Sequence, residues 1–120
     1  MKRIAMMLLV LSVASCGGGG GGNFGQAELK VVPDSITVTG PLGQCASGQI
    51  STYYIYGGTP PYTVKSTLPQ GLTVSTPNVL ADGGSFTANV TGYCLDKIQI
   101  VIQDNEGRVI STLVTNQTGQ

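Results

Sequence analysis

Three cysteines, six carboxylates and five tyrosines are the side chains of this sequence able to do chemistry, and no histidine accompanies them. Without His the chain lacks the usual base near neutral pH and the commonest metal ligand, so Ser-His-Asp, Cys-His and zinc chemistry have no starting point. Ser35 and Ser85 stand at strand starts, Ser85 after Gly83-Gly84, and neither has the strand-turn-helix setting of a nucleophile elbow. No carboxylate pair has one member in an apolar setting, and no Lys and Ser dyad has supporting context. Asp96, Asp104 and Glu106 gather near strand ends, where sandwich proteins can hold calcium. The alternating Asp and Asn of a calcium loop is missing, and the three read as a solvated turn. The expectation is a protein that is not an enzyme and takes no cofactor or metal.

Charge narrows the partners further. Six Lys+Arg balance six Asp+Glu, so no basic field exists to gather the phosphates of nucleic acid. Lys30, Lys65, Lys97 and Arg108 are scattered over different strands, where they are expected to blunt sheet edges against aggregation.

The elements that must position these residues are strands. From residue 27 onward no stretch shows apolar residues at helical spacing, whereas two-residue alternation recurs. Ile36 and Val38 alternate with Thr37 and Thr39, and Phe86, Ala88 and Val90 with Thr87, Asn89 and Thr91. Ile98, Ile100 and Ile102 alternate with Gln99, Val101 and Gln103. Turn signals separate the runs at Thr39-Gly40-Pro41, Gly57-Gly58-Thr59-Pro60-Pro61, Pro69-Gln70-Gly71, Ala81-Asp82-Gly83-Gly84 and Asp104-Asn105-Glu106-Gly107. The expected strands are 29–32 with 35–39 as one split strand, then 49–56, 62–66, 72–75, 85–91, 97–103 and 109–115. About seven short strands in a chain of 120 residues predict an all-β, two-sheet sandwich in a single domain. The last two form the surest hairpin, closed by Gly107 with positive φ. Strand parity sends Tyr53 and Ile55 into the core and leaves Tyr54 and Tyr56 outside. Two exposed tyrosines could stack on sugar rings or dock a protein; pairing with Thr neighbours would instead strengthen the sheet without any ligand.

The start of the chain has another character. Lys2 and Arg3 precede an apolar run from Ile4 to Leu11, followed by the small residues Ser12, Ala14 and Ser15. That is a secretory signal peptide, and its apolar run is too short to span a bilayer. Val13-Ala14-Ser15-Cys16 resembles the lipobox of bacterial lipoproteins. The resemblance implies a signal peptide over 1–15, removal of that peptide, and acyl chains on Cys16 that hold the domain on a membrane. Gly17 stands where an Asp would favour inner-membrane retention, which implies the outer membrane. Residues 16–26 then form a Gly-rich tether, and ten such residues reach roughly 17–19 Å. If acylation uses Cys16, two of the three cysteines remain, and Cys45 and Cys94 are expected to form a disulfide.

Within 27–120, Gly57-Gly58-Thr59-Pro60-Pro61-Tyr62 followed by Leu68-Pro69-Gln70-Gly71-Leu72 resembles the immunoglobulin-like modules of bacterial surface proteins. Ile100 to Val109 looks like that family's penultimate strand, Asp-x-x-Gly turn and final strand. The resemblance implies an immunoglobulin-like sandwich and carries no reaction. Tyr93 precedes Cys94 by one residue where the tyrosine corner of immunoglobulin domains needs two, so it is expected to pack at an edge. The expected role is a lipid-anchored, non-catalytic module acting in adhesion, assembly or structural contact with an envelope protein. An accessory lipoprotein subunit of a secretion, pilus or outer-membrane complex and a glycan-binding module through Tyr54 and Tyr56 are the alternatives.

Overall fold

A computed structural model describes residues 27–120, and within them the chain is all strand and loop. Nine strands follow one another: β1 (Lys30–Val32), β2 (Ser35–Leu42), β3 (Ser47–Tyr56), β4 (Tyr62–Ser66), β5 (Leu72–Val74), β6 (Asn78–Val79), β7 (Ser85–Thr91), β8 (Leu95–Gln103) and β9 (Val109–Gly119). They form a five-stranded sheet in the order β2-β9-β8-β4-β6 and a four-stranded sheet in the order β1-β3-β7-β5. Antiparallel pairing dominates, with β2 parallel to β9 as the exception. This is an immunoglobulin-like sandwich, with the first strand split between the two sheets at Pro33 and Asp34. The split adds one strand to the seven expected. The other addition is β6, a two-residue strand that sequence reading missed because Pro77 and Asn78 carry turn propensity; its pairing with Tyr62 and Thr63 overrides that preference.

Alternation accounts for the core. Val31, Tyr53, Ile55, Phe86, Ala88 and Val90 from one sheet meet Tyr62, Val64, Ile100, Ile102 and Val114 from the other. The rings of Tyr53 and Phe86, opposite each other on β3 and β7, stack at 5.0 Å. Burial secures their area but strands the Tyr53 hydroxyl, which has no hydrogen-bond partner of good geometry. Burial pushes its pKa up to about 12, with Thr112 beside it working against that shift; the Thr112 hydroxyl itself donates to Pro33 O at 2.9 Å. Tyr53→Phe should therefore stabilise the domain by about 1 kcal/mol, seen as a rise in Tm of roughly 4–8 °C. A fall in Tm would show that the hydroxyl is satisfied in solution.

The sandwich has two distinct poles. At one, Gly58 N donates to Ala27 O at 2.9 Å and Asn105 N donates to Thr59 O at 2.7 Å. At the other, Gly43 N donates to Gly119 O at 3.1 Å, close to Cys45. The described chain enters at the first pole and finishes at the second.

Candidate functional site

The densest polar cluster lies at the entry pole, on the turn between β8 and β9. The turn forms as expected, with Gly107 at φ 89° and Gln103 paired with Val109. Its first residue departs from expectation. Asp104 is buried, with a side chain fully covered, whereas Asp96 and Glu106 are exposed. Oδ1 accepts from the backbone N–H of Glu106 at 3.0 Å and of Arg108 at 2.8 Å. Oδ2 accepts from Thr59 N at 2.9 Å and from the Arg108 guanidinium at 2.8 Å. Burial alone would raise the pKa of this carboxyl; the hydrogen bonds from Thr59, Arg108 and Glu106 outweigh it and hold the group below its ordinary value. The solvated-turn reading is thus corrected for Asp104, because a carboxylate with four donors around it is better placed inside than in water.

The Gly57-Gly58 pair exists to allow this. Gly58 sits at φ +59°, and a Cβ there would stand 2.7 Å from Asp104 Oδ2; a Cβ on Gly57 would overlap the Glu28 carbonyl. Gly57 N donates to Asp82 Oδ1 at 3.1 Å, and the Tyr62 hydroxyl donates to Gly57 O at 2.6 Å. Burial first, then the charges of Asp82 and Asp104, raise the Tyr62 pKa and keep it a neutral donor. The Gly-Gly-Thr-Pro-Pro-Tyr segment is therefore a fitted cradle for one carboxylate.

At the opposite pole Cys45 and Cys94 form a disulfide, with Cα atoms 5.3 Å apart. Cys45 leads into β3 and Cys94 into β8, so the bridge ties one sheet to the other. Beside it lies a residue that sequence reading missed, Asn116, which is buried. Its Oδ1 accepts from Ala46 N at 2.8 Å, while Nδ2 donates to Ala46 O and to Tyr93 O, both at 2.9 Å. The amide imitates a strand, pairing both backbone groups of the residue next to Cys45 and one next to Cys94. The signal was faint: Asn116 continues the inward series Ile110, Thr112 and Val114, but lies one residue beyond the expected end of that strand. Tyr93 is 54% exposed and covers Gly71, where a Cβ would come within 3.0 Å of it.

Tyr54 and Tyr56 lie side by side on the outer face of the four-stranded sheet, 41% and 42% exposed. On β1, Val32 pairs with Tyr54 and Lys30 with Tyr56; on β7, Ser85 pairs with Tyr54. Ser35, the other serine weighed for catalysis, opens β2 with an exposed side chain. The basic residues do not share the edge-guarding role expected of them. Lys30 is on the edge strand β1, and Lys65 stands where β4 has outrun β6. Lys97, however, occupies a bulge of the interior strand β8, where it and Asp96 oppose Thr115 and its φ is 53°. Arg108 serves the Asp104 turn. The structure brings together Asp104 with Arg108 and Cys45 with Cys94, and it places Tyr54 and Tyr56 on the outer sheet face.

Among the described residues no group of three or more Cys, Asp and Glu is placed to hold a metal ion, and no helix is long and apolar enough to cross a membrane. Cys16, the residue implied to carry acyl chains, lies outside the described residues, as do the implied signal peptide and tether.

No protein-family model and no curated protein matches the chain. Solved structures similar to it include surface layer protein SbsC, domains 1–6, at a TM-score of 0.50 and 17% identity, covering 79% of this chain and 13% of that one. The crystal structure of the S-layer protein SbsC domains 4 and 5 is similar at the same score and identity, covering 88% of this chain and 57% of that one. The chain thus spans just over half the length of the shorter of these structures, and at this identity what the proteins share is the sandwich fold.

Proposed function

We propose that this protein is a non-catalytic sandwich domain of the bacterial envelope, anchored to the outer membrane through acyl chains on Cys16 and working by contact with another envelope component. The observation that carries the reading is how its polar chemistry is spent. Asp104, Tyr62, Thr112 and Asn116, buried side chains able to hydrogen-bond, all hold backbone. Such a domain acts through its surface and its location. The fold it shares with domains of an S-layer protein supports an envelope setting and a structural role. The lipobox resemblance of Val13-Ala14-Ser15-Cys16 supports the anchor, since two or three acyl chains bind a membrane almost permanently. Unpaired strand edges supply the means of contact, because their free backbone groups can add a further strand.

Cys16→Ser tests the location. In cells of a Gram-negative host, the unaltered protein should sediment with membranes and the variant should not. A variant that still pellets with membranes after a salt wash would overturn the anchor.

A further inference from the structure

Four strands lie at sheet edges, and they differ sharply. β1 and β5 have three residues each and β6 has two, whereas β2 has eight. Short edges offer little to an incoming strand, and long ones are ordinarily guarded by charge. β2, Ser-Ile-Thr-Val-Thr-Gly-Pro-Leu, carries no charged residue, and none of the four basic residues discussed above lies on it.

The ladder with β9 shows which backbone groups are free. Leu113 lies opposite Ser35, and its N–H donates to Asp34 O at 3.1 Å, so even-numbered residues of β2 face β9. The N–H and C=O groups of Ser35, Thr37 and Thr39 therefore point outward. Their side chains are exposed, while Ile36 and Val38 are half buried, Ile36 against the core.

We infer that β2 pairs with β2 of a second copy of this chain, antiparallel about Thr37. The inference names the edge and partner of the contact proposed above. The segment is self-complementary about that residue: Ile36 meets Val38, Ser35 meets Thr39 and Thr37 meets itself, which keeps apolar beside apolar and hydroxyl beside hydroxyl. All three kinds of outward residue exchange hydrogen bonds in this register. Pro33 and Pro41 each stand four positions from Thr37 and would meet one another, so the absence of their N–H groups ends the ladder on both sides. A slip by one residue would set outward-facing groups against groups already used by β9. The ladder is short and buries less than the ~1,000 Å² of a lasting interface, so the pair is weak, with Kd on the order of 10⁻⁴ M.

Sedimentation equilibrium on residues 27–120, which hold the complete two-sheet core, measures this directly. The chain should associate reversibly to dimers, and Thr37→Pro should be monomeric with an unchanged Tm, because the lost N–H faces away from β9. Cross-linking fixes the register. The pairing sets the two Thr37 Cα atoms about 5.5 Å apart, within disulfide reach, so Thr37→Cys should form linked dimers with oxidised glutathione. Ser35→Cys should not link to itself but should link to Thr39→Cys. A chain monomeric at ~1 mM, a Thr37→Pro variant that dimerises as well as its parent, or self-linking of Ser35→Cys as fast as Thr37→Cys would each overturn the inference. If Thr37→Pro fails to fold, the cross-linking pattern decides. These outcomes do not depend on Cys16, so a monomeric 27–120 domain alongside a full chain that pellets with membranes would remove the self-pairing and leave the anchored module standing.

Discussion

Replacing both Cys45 and Cys94 with Ser is expected to cost the domain about 4 kcal/mol, lowering Tm by roughly 15–30 °C. The bridge closes a loop between residues 49 apart in sequence, and constraint of the unfolded chain grows with loop length. It also joins the two sheets at a pole where their strands do not hydrogen-bond to each other. The reduced domain should nonetheless fold at low temperature, since Asn116 still grips Ala46 and Tyr93 across the same gap. Thermal melts of the parent and the double variant, with and without reductant, check this. Reductant should move the parent down to the variant and leave the variant where it was. A difference below ~1 kcal/mol would mean that hydrogen bonding at that pole already restricts the unfolded chain or carries the sheet connection.

Asp104→Asn should be the next most damaging change, with Tm falling by roughly 10–20 °C. Asn keeps the shape but brings an NH₂ group into a space shaped by donors, facing the N–H groups of either Thr59 or Arg108. The carboxylate also explains how stability should vary with pH. Its folded pKa lies below its unfolded value, so its contribution is complete above the ordinary carboxylate pKa of about 4 and is lost as pH falls through that value toward the folded one. The parent's Tm should be level from neutral pH down to ~5 and then drop. The variant should start lower and show a shallower acid limb. Parallel acid limbs in the two proteins would assign the loss to other carboxylates.

Where sequence reading succeeded, it relied on local information. The alternation of Tyr53, Tyr54, Ile55 and Tyr56 sorts inside from outside within one strand, and Asp104 to Gly107 spells its own turn. Where it failed, the deciding partner lay far along the chain. Asp104 takes one of its four hydrogen bonds from Thr59, 45 residues earlier, and Asn116 is held by Ala46, 70 residues earlier. Nothing near either residue announces those partners; charge and turn propensity pointed Asp104 to water, and Asn116 lay beyond the expected end of its strand. β6 escaped for a related reason: two residues are too few to show a period, and only β4 makes them a strand. The outlying tyrosines were placed on the right face, but exposure alone does not name what they touch.

The parallel pairing of β2 with β9 has a mechanical side. The first described residue and the end of β9 lie at opposite poles, so a pull on the two ends slides these neighbours past one another and loads their hydrogen bonds together instead of opening them in turn. Beyond that clamp, the sulfur bridge takes residues 46–93 out of the force-bearing path. Stretched until it yields, the domain can lengthen only by what lies outside the bridge, and it will hold its middle folded or at least looped while the rest pays out.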